Sequence, residues 1–299
     1  MVGVEKVVAE TLQSLGCLWL LIILGFTLVT FMIFRIFSIE RFYHMNEELA
    51  LLLAHILIFT LRDSVRNEDA CTAVSTFVHY FFFVEGTFFV LEALHDFTYV
   101  TNAINDSGVF SKIALMCIGW GTPAVVVAGT STVLWKYYAS GYSCWFNFGN
   151  QGVVLVMGGI LLSLHVTSII IAESCGMFAG STDLPLKNSA KSNTISLSIT
   201  GLFFVAPINL VAWALGSSAI YNQNIGLYSA VFAINITLGV TIWVFHTLSN
   251  QQIRSVVKHI CGYLYFLGVM LISPTYTPDK PIHQDNDCDE YQESFNDSD

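Results

Sequence analysis

Charge is what this chain lacks. Of its 299 residues only 11% are charged and 12 are basic, whereas 54% are apolar and the mean hydropathy is +0.63. An average soluble domain carries roughly 25% charged residues, so the composition argues against a soluble globule and against a soluble enzyme. Proline is scarce at 6, and the 21 glycines have no collagen period. The 7 cysteines are too few for a disulfide-dense secreted module, and 23 Phe and 6 Trp are too many for a disordered chain. Bases are equally short in supply for a nucleic-acid partner. The net charge of −10 is largely local, since the stretch from Pro274 to Asp299 holds eight acids and one base, a net −7. No repeat of solenoid length is present, and the two halves show no matching pair of broken helices of the transporter kind.

What is there is a series of long apolar runs. A hydrocarbon core of ~30 Å needs about 20 apolar residues in helix, and lipid offers no partner for stray backbone groups. Seven spans are expected, at about 17–36, 44–62, 71–95, 112–134, 152–173, 194–216 and 226–248. The second is the weakest and must borrow His44, Met45 and Asn46 to reach across; the third is the most polar, with His79, Glu85, Glu92 and His95. The fold class is an all-α membrane protein, a seven-helix bundle.

With the amino terminus outside, the inner side holds Arg35, Arg41, Lys112, Lys187, Lys191, Arg254, Lys258 and Lys280, against Lys6, Arg62, Arg66 and Lys136 outside. The first span has no basic leader or small-residue cleavage pattern, so it reads as retained, with 1–16 as an extracellular stub. After the seventh span, 250–273 reads as a cytoplasmic juxtamembrane segment with a short amphipathic helix 8 over Gln251–Lys258. The acidic tail 274–299 reads as disordered. Sequons at Asn105, Asn235 and Asn296 fall in an inner loop, a span and the tail, where no glycosylation is expected.

The third span and its entry read Cys71-Thr-Ala-Val-Ser-Thr-Phe-Val-His79-Tyr80-Phe81-Phe82, then Val90-Leu91-Glu92-Ala93-Leu94-His95. The fourth carries Gly119-Trp120-Gly121-Thr122-Pro123-Ala124, and Cys144-Trp145 follows in the next loop. This combination resembles the adhesion class of G-protein-coupled receptors, of the secretin-like group. His44-Met45-Asn46 is similar to the family's entry to its second helix, and Pro207 to Gly216, with Trp213, to its sixth. Asn235 to Gly239 resembles the seventh, with Leu238 where the family has Gln; Gly158-Gly159 stands for a usual Gly-Pro, and Phe88 for a usual Trp. The chain is thus similar to a divergent member over about Leu15 to His259. The family's self-cleavage motif ahead of the first helix is not found in residues 1–16.

The resemblance implies a disulfide between Cys71 and Cys144, with ordinary buried thiols as the alternative. It implies an inner polar lock of His44 and Glu92 between the second and third helices, against a reading as static packing glue. It marks Pro207, Trp213 and Gly239 as toggle or hinge positions, and His79, Tyr80, Gly119, Trp120, Gly121, Pro123 and Trp145 as family motif. Glu85, seven residues before Glu92, lies ~20° off the same helix face. The family normally has a small apolar residue there, so Glu85 reads as a buried polar group paired to His79 or to a ligand cation. No catalytic nucleophile lies beside the acids. His79, His95, His165 and His246 scatter over different depths with no metal-ligand spacing, so no metal or cofactor is expected. Cys261 is a candidate for palmitoylation.

The expected function is a plasma-membrane receptor that passes an extracellular stimulus to a heterotrimeric G protein. Its partners would be that G protein, the lipid bilayer, and an extracellular ligand or a tethered agonist absent from this chain. The alternatives are a non-signalling decoy or structural seven-helix protein, and a transporter or channel with Glu85 and Glu92 along a polar path.

Overall fold

The computed structural model describes residues 3–35, 38–60, 67–101, 110–140, 143–147, 149–181, 190–248, 250 and 253–259. The tail 274–299, the segment 260–273 with Cys261, and the sequons at Asn105 and Asn296 lie outside these residues. Among the described residues, seven long helices make a bundle that ends, as one compact unit, at Arg254. They are α1 (Gly3–Ile33), α2 (Ile39–Thr60), α3 (Glu68–Val100), α4 (Lys112–Tyr138), α5 (Gln151–Ser181), α6 (Ala190–Asn222) and α7 (Ile225–Thr247). Between α4 and α5 a two-stranded antiparallel hairpin joins β1 (Ala139–Ser140) to β2 (Ser143–Phe146). Of the second unit, the described part is the helical stretch 255–259.

Six of the seven helices are long and apolar enough to cross a membrane; α2 is not, because its first half carries Glu40, Arg41, His44, Asn46, Glu47 and Glu48. At 22 residues it still measures about 33 Å, and all six polar side chains are buried in the bundle. The expected stub ahead of the first span is helical as well. From Gly3 the chain continues α1, and Ala9 packs on Ala219, Tyr228 and Val231 of α6 and α7. Glu5, Lys6 and Glu10 make that stretch read as a loop in sequence, but Glu5 and Lys6 sit on the exposed face and Glu10 at its edge.

Several helix starts are set by short polar side chains that satisfy orphan N–H groups. Asn67 caps α3 through Ala70 N (3.1 Å), Ser111 caps α4 through Ala114 N (3.2 Å), and Asn150 caps α5 through Val153 N (3.2 Å). Asn224 accepts from Gly226 N (2.8 Å) to start α7. Among the described residues, three helices contain a widened π-helical turn: Cys117–Gly121 in α4, Val154–Gly158 in α5 and Trp243–Thr247 in α7. In α4 the cause is Pro123, which has no N–H and crowds the carbonyl four residues back, and the wider turn makes room.

The third helix sits at the centre, packed on α2, α4, α5 and α6, while α1 packs on α2 and α7. Its burial forces its polar residues to find partners inside the bundle. Large apolar side chains such as Ile22, Phe26, Val125 and Leu155 remain exposed and face where lipid would be.

Candidate functional site

At one end of the bundle a polar network ties five helices together. Arg41, His44 and Glu48 recur on α2 at a spacing of three and four and so share one face. His44 Nε2 lies 2.7 Å from Glu92 Oε1 on α3, and both side chains are buried. Ser198 Oγ of α6 donates to the same Glu92 oxygen at 2.5 Å. The Arg41 guanidinium donates to the carbonyl of His246 in the widened turn of α7 and, at 3.3 Å, to His44 Nδ1. Arginine has donors only, so His44 Nδ1 accepts, and its Nε2–H is the donor to Glu92. The His44 and His246 rings stack at 4.0 Å between centroids. Glu48 completes the set, taking His246 Nδ1 at 2.9 Å and Thr27 Oγ1 of α1 at 2.6 Å.

The expected His44 and Glu92 are therefore brought together. Further acids crowd them: Glu47 faces Glu92, and Asp96 faces Ser198. Each interhelical bond of this kind contributes on the order of 1 kcal/mol in a membrane bundle. The network matters because one carboxylate, Glu92, is shared by α2 and α6, so a single change loosens both.

The motif residues of α3 and α4 build a joint beside it. Trp120 Nε1 donates to Asn46 Oδ1 of α2 at 2.9 Å, and Tyr80 OH donates to the Trp120 carbonyl at 3.2 Å. A Cβ on Gly119 would lie 2.3 Å from Phe88 Cζ, so glycine is required where that ring crosses α4. A Cβ on Gly121 would meet open space; packing does not explain that glycine.

At the opposite end Cys71 and Cys144 form a disulfide that anchors β2 to the start of α3. Next in β2, Trp145 Nε1 donates to Ser217 Oγ of α6 at 3.0 Å, and its ring lies 5.7 Å from that of His79. His79 Nδ1–H donates to Ser75 O at 2.6 Å. Below the hairpin is an open cavity of about 50 Å³, lined among others by His55, Phe82, Trp145, Asn209 and Trp213. Pro207 lies within the continuous helix α6, six residues before Trp213. Gly239 lies where α7 crosses α1, because a Cβ there would come within 2.7 Å of Trp19 Nε1. Glu85 is buried at mid-depth and faces Asn209 of α6.

The family description "7 transmembrane receptor (Secretin family)" matches residues 7–271. This chain belongs to the secretin family of seven-transmembrane receptors. Adhesion G-protein coupled receptor D1 of Bos taurus is 26% identical over 271 residues, covering 85% of this chain and 29% of the relative. Adhesion G protein-coupled receptor L4 of Danio rerio is 24% identical over 249 residues, covering 83% and 34%. Adhesion G protein-coupled receptor E2 of Rattus norvegicus is 27% identical over 255 residues, covering 81% and 27%. The chain thus spans about a third or less of the length of these relatives. This secretin-family chain is a multi-pass plasma-membrane protein.

Within this secretin-family bundle, sequence reading missed Thr27, Arg41, Glu48, Ser198 and His246. Arg41 passes for one of the bases flanking a span and His246 for a stray buried histidine, because their partners lie some 200 residues away. The polar stretch from Arg41 to Glu48, at the start of a nominal lipid span, was the available signal: a membrane helix with that many charges must bury them against others.

Proposed function

We propose that this secretin-family chain is the transmembrane signalling region of an adhesion-type receptor, with its amino terminus outside and the Glu92 network at the cytoplasmic face. The observation that carries this reading is the sharing of Glu92 by His44 of α2 and Ser198 of α6. Held this way, the α6 end stays against the bundle. A stimulus reaching the crevice presses on Trp213, and Pro207, which cannot complete its backbone bond, lets the lower part of α6 swing. The Ser198–Glu92 contact then breaks, and the exposed inner surface receives a heterotrimeric G protein. This is a population shift whose size is set by how differently the stimulus contacts the two states.

Leu238 favours a second reading, a non-signalling seven-helix protein. It is fully buried and lines the crevice where the family resemblance expects Gln, so that α7 offers an apolar side chain to any stimulus there. One experiment separates the two. In cells expressing matched surface amounts, Ser198→Ala should raise basal G-protein activation several-fold if the contact is a restraint. A flat response across all G-protein classes would leave the non-signalling reading standing.

A further inference from the structure

Glu85 is a carboxyl with no use in the network just described. It lies on α3 facing Asn209 of α6, 1% exposed, and its Oε2 has no hydrogen-bond partner among the described residues. An acid at such depth costs at least ~2.5 kcal/mol unless a partner offsets it. Asn209 connects it to the crevice, since that side chain both faces the Glu85 carboxyl and lines the cavity. Phe82, one turn before Glu85 on the same face of α3, lines the cavity too.

Two histidines, His55 in the lining and His165 behind Asn209, present acceptor nitrogens. His55 uses its Nδ1–H on Leu51 O at 2.9 Å, which leaves Nε2 as an acceptor. His165 uses its Nδ1–H on Leu161 O, so its Nε2 accepts from Asn209 Nδ2 at 3.4 Å and holds that amide at the cavity floor. Among the described residues no Lys or Arg lines the cavity, and Phe82, Trp145 and Trp213 offer aromatic rings of the type that bind organic cations. An anionic ligand would meet Glu85 with like charge, whereas an ammonium group would donate to its Oε2 and offset the charge.

We propose that the crevice binds a small organic cation, an aromatic or aliphatic amine, whose ammonium group settles at Asn209 and is neutralised by Glu85. The proposal rests on the reading of the crevice as the place where the stimulus acts, and adds the chemical class of the ligand. Its test does not use signalling. Thermal unfolding of the purified full chain in detergent micelles is followed with three probes that share one ring: 2-phenylethylammonium, 2-phenylethanol and phenylacetate. The ammonium probe alone should raise the unfolding midpoint, and Glu85→Gln should weaken its binding by at least about tenfold without lowering the midpoint of the unliganded chain. Equal shifts from the alcohol, no shift from the amine at millimolar concentration, or undiminished amine binding by Glu85→Gln would each overturn it. If that variant does not fold, the comparison of the three probes on the unaltered chain still decides. Amine binding with no G-protein response from Ser198→Ala would sink only the signalling reading; the reverse pattern would sink only this one.

Discussion

Gly119 shows how much one missing methyl group decides. A Cβ there would overlap the Phe88 ring at 2.3 Å, in a layer where Phe88 is fully buried. Gly119→Ala should therefore destabilise the chain by about 1–3 kcal/mol, the usual cost of overpacking. Adding Phe88→Leu should return part of the lost unfolding midpoint in detergent; no recovery in the double variant would place the cost elsewhere. At this scale the sequence was readable only in part. His44 and Glu92 were legible because they stand in family motifs, and the 2.7 Å contact joins them. Arg41, Glu48, Ser198 and His246 were not, because hydrogen bonds between residues distant in the chain leave no local pattern. Glu85 was legible as an oddity, but Asn209 as the group it faces was not.

Elements were the most readable scale, for a physical reason. Lipid accepts few structures, so apolar runs of span length become helices, and each of the seven expected runs has a helix over it. The ends were less readable. Asn67, Ser111, Asn150 and Asn224 fix the starts of α3, α4, α5 and α7 by side-chain bonds that hydropathy ignores. The extension of α1 back to Gly3 depends on packing against α6 and α7. Two predictions belong here. Cys71→Ser should free the hairpin from α3 and cost about 2–5 kcal/mol, seen as a lower unfolding midpoint and as loss of the effect of reducing agent. Pro207→Ala restores a backbone bond within α6 and should stiffen it. It should shrink the gain in basal signalling caused by Ser198→Ala when the two are combined, and an undiminished gain would remove Pro207 from the mechanism.

For the molecule as a whole, the arrangement has two ends with different chemistry. The disulfide end carries a crevice with aromatic walls, and the Arg41 end carries a network in which a few carboxylates bind several helices. The third helix runs through both, and α6 contributes Trp213 to the first and Ser198 to the second. In the proposed mechanism, transmission between the ends requires that α6 be held at Glu92 and be free to leave it. The decisive measurement is the distance between spin labels at Thr101, which caps the end of α3, and Ser196 of α6, both exposed, in the otherwise unaltered chain and in Glu92→Ala. A restraint at Glu92 predicts that Glu92→Ala moves the distribution to longer distances. Identical distributions in the two proteins, with both correctly folded, would contradict it.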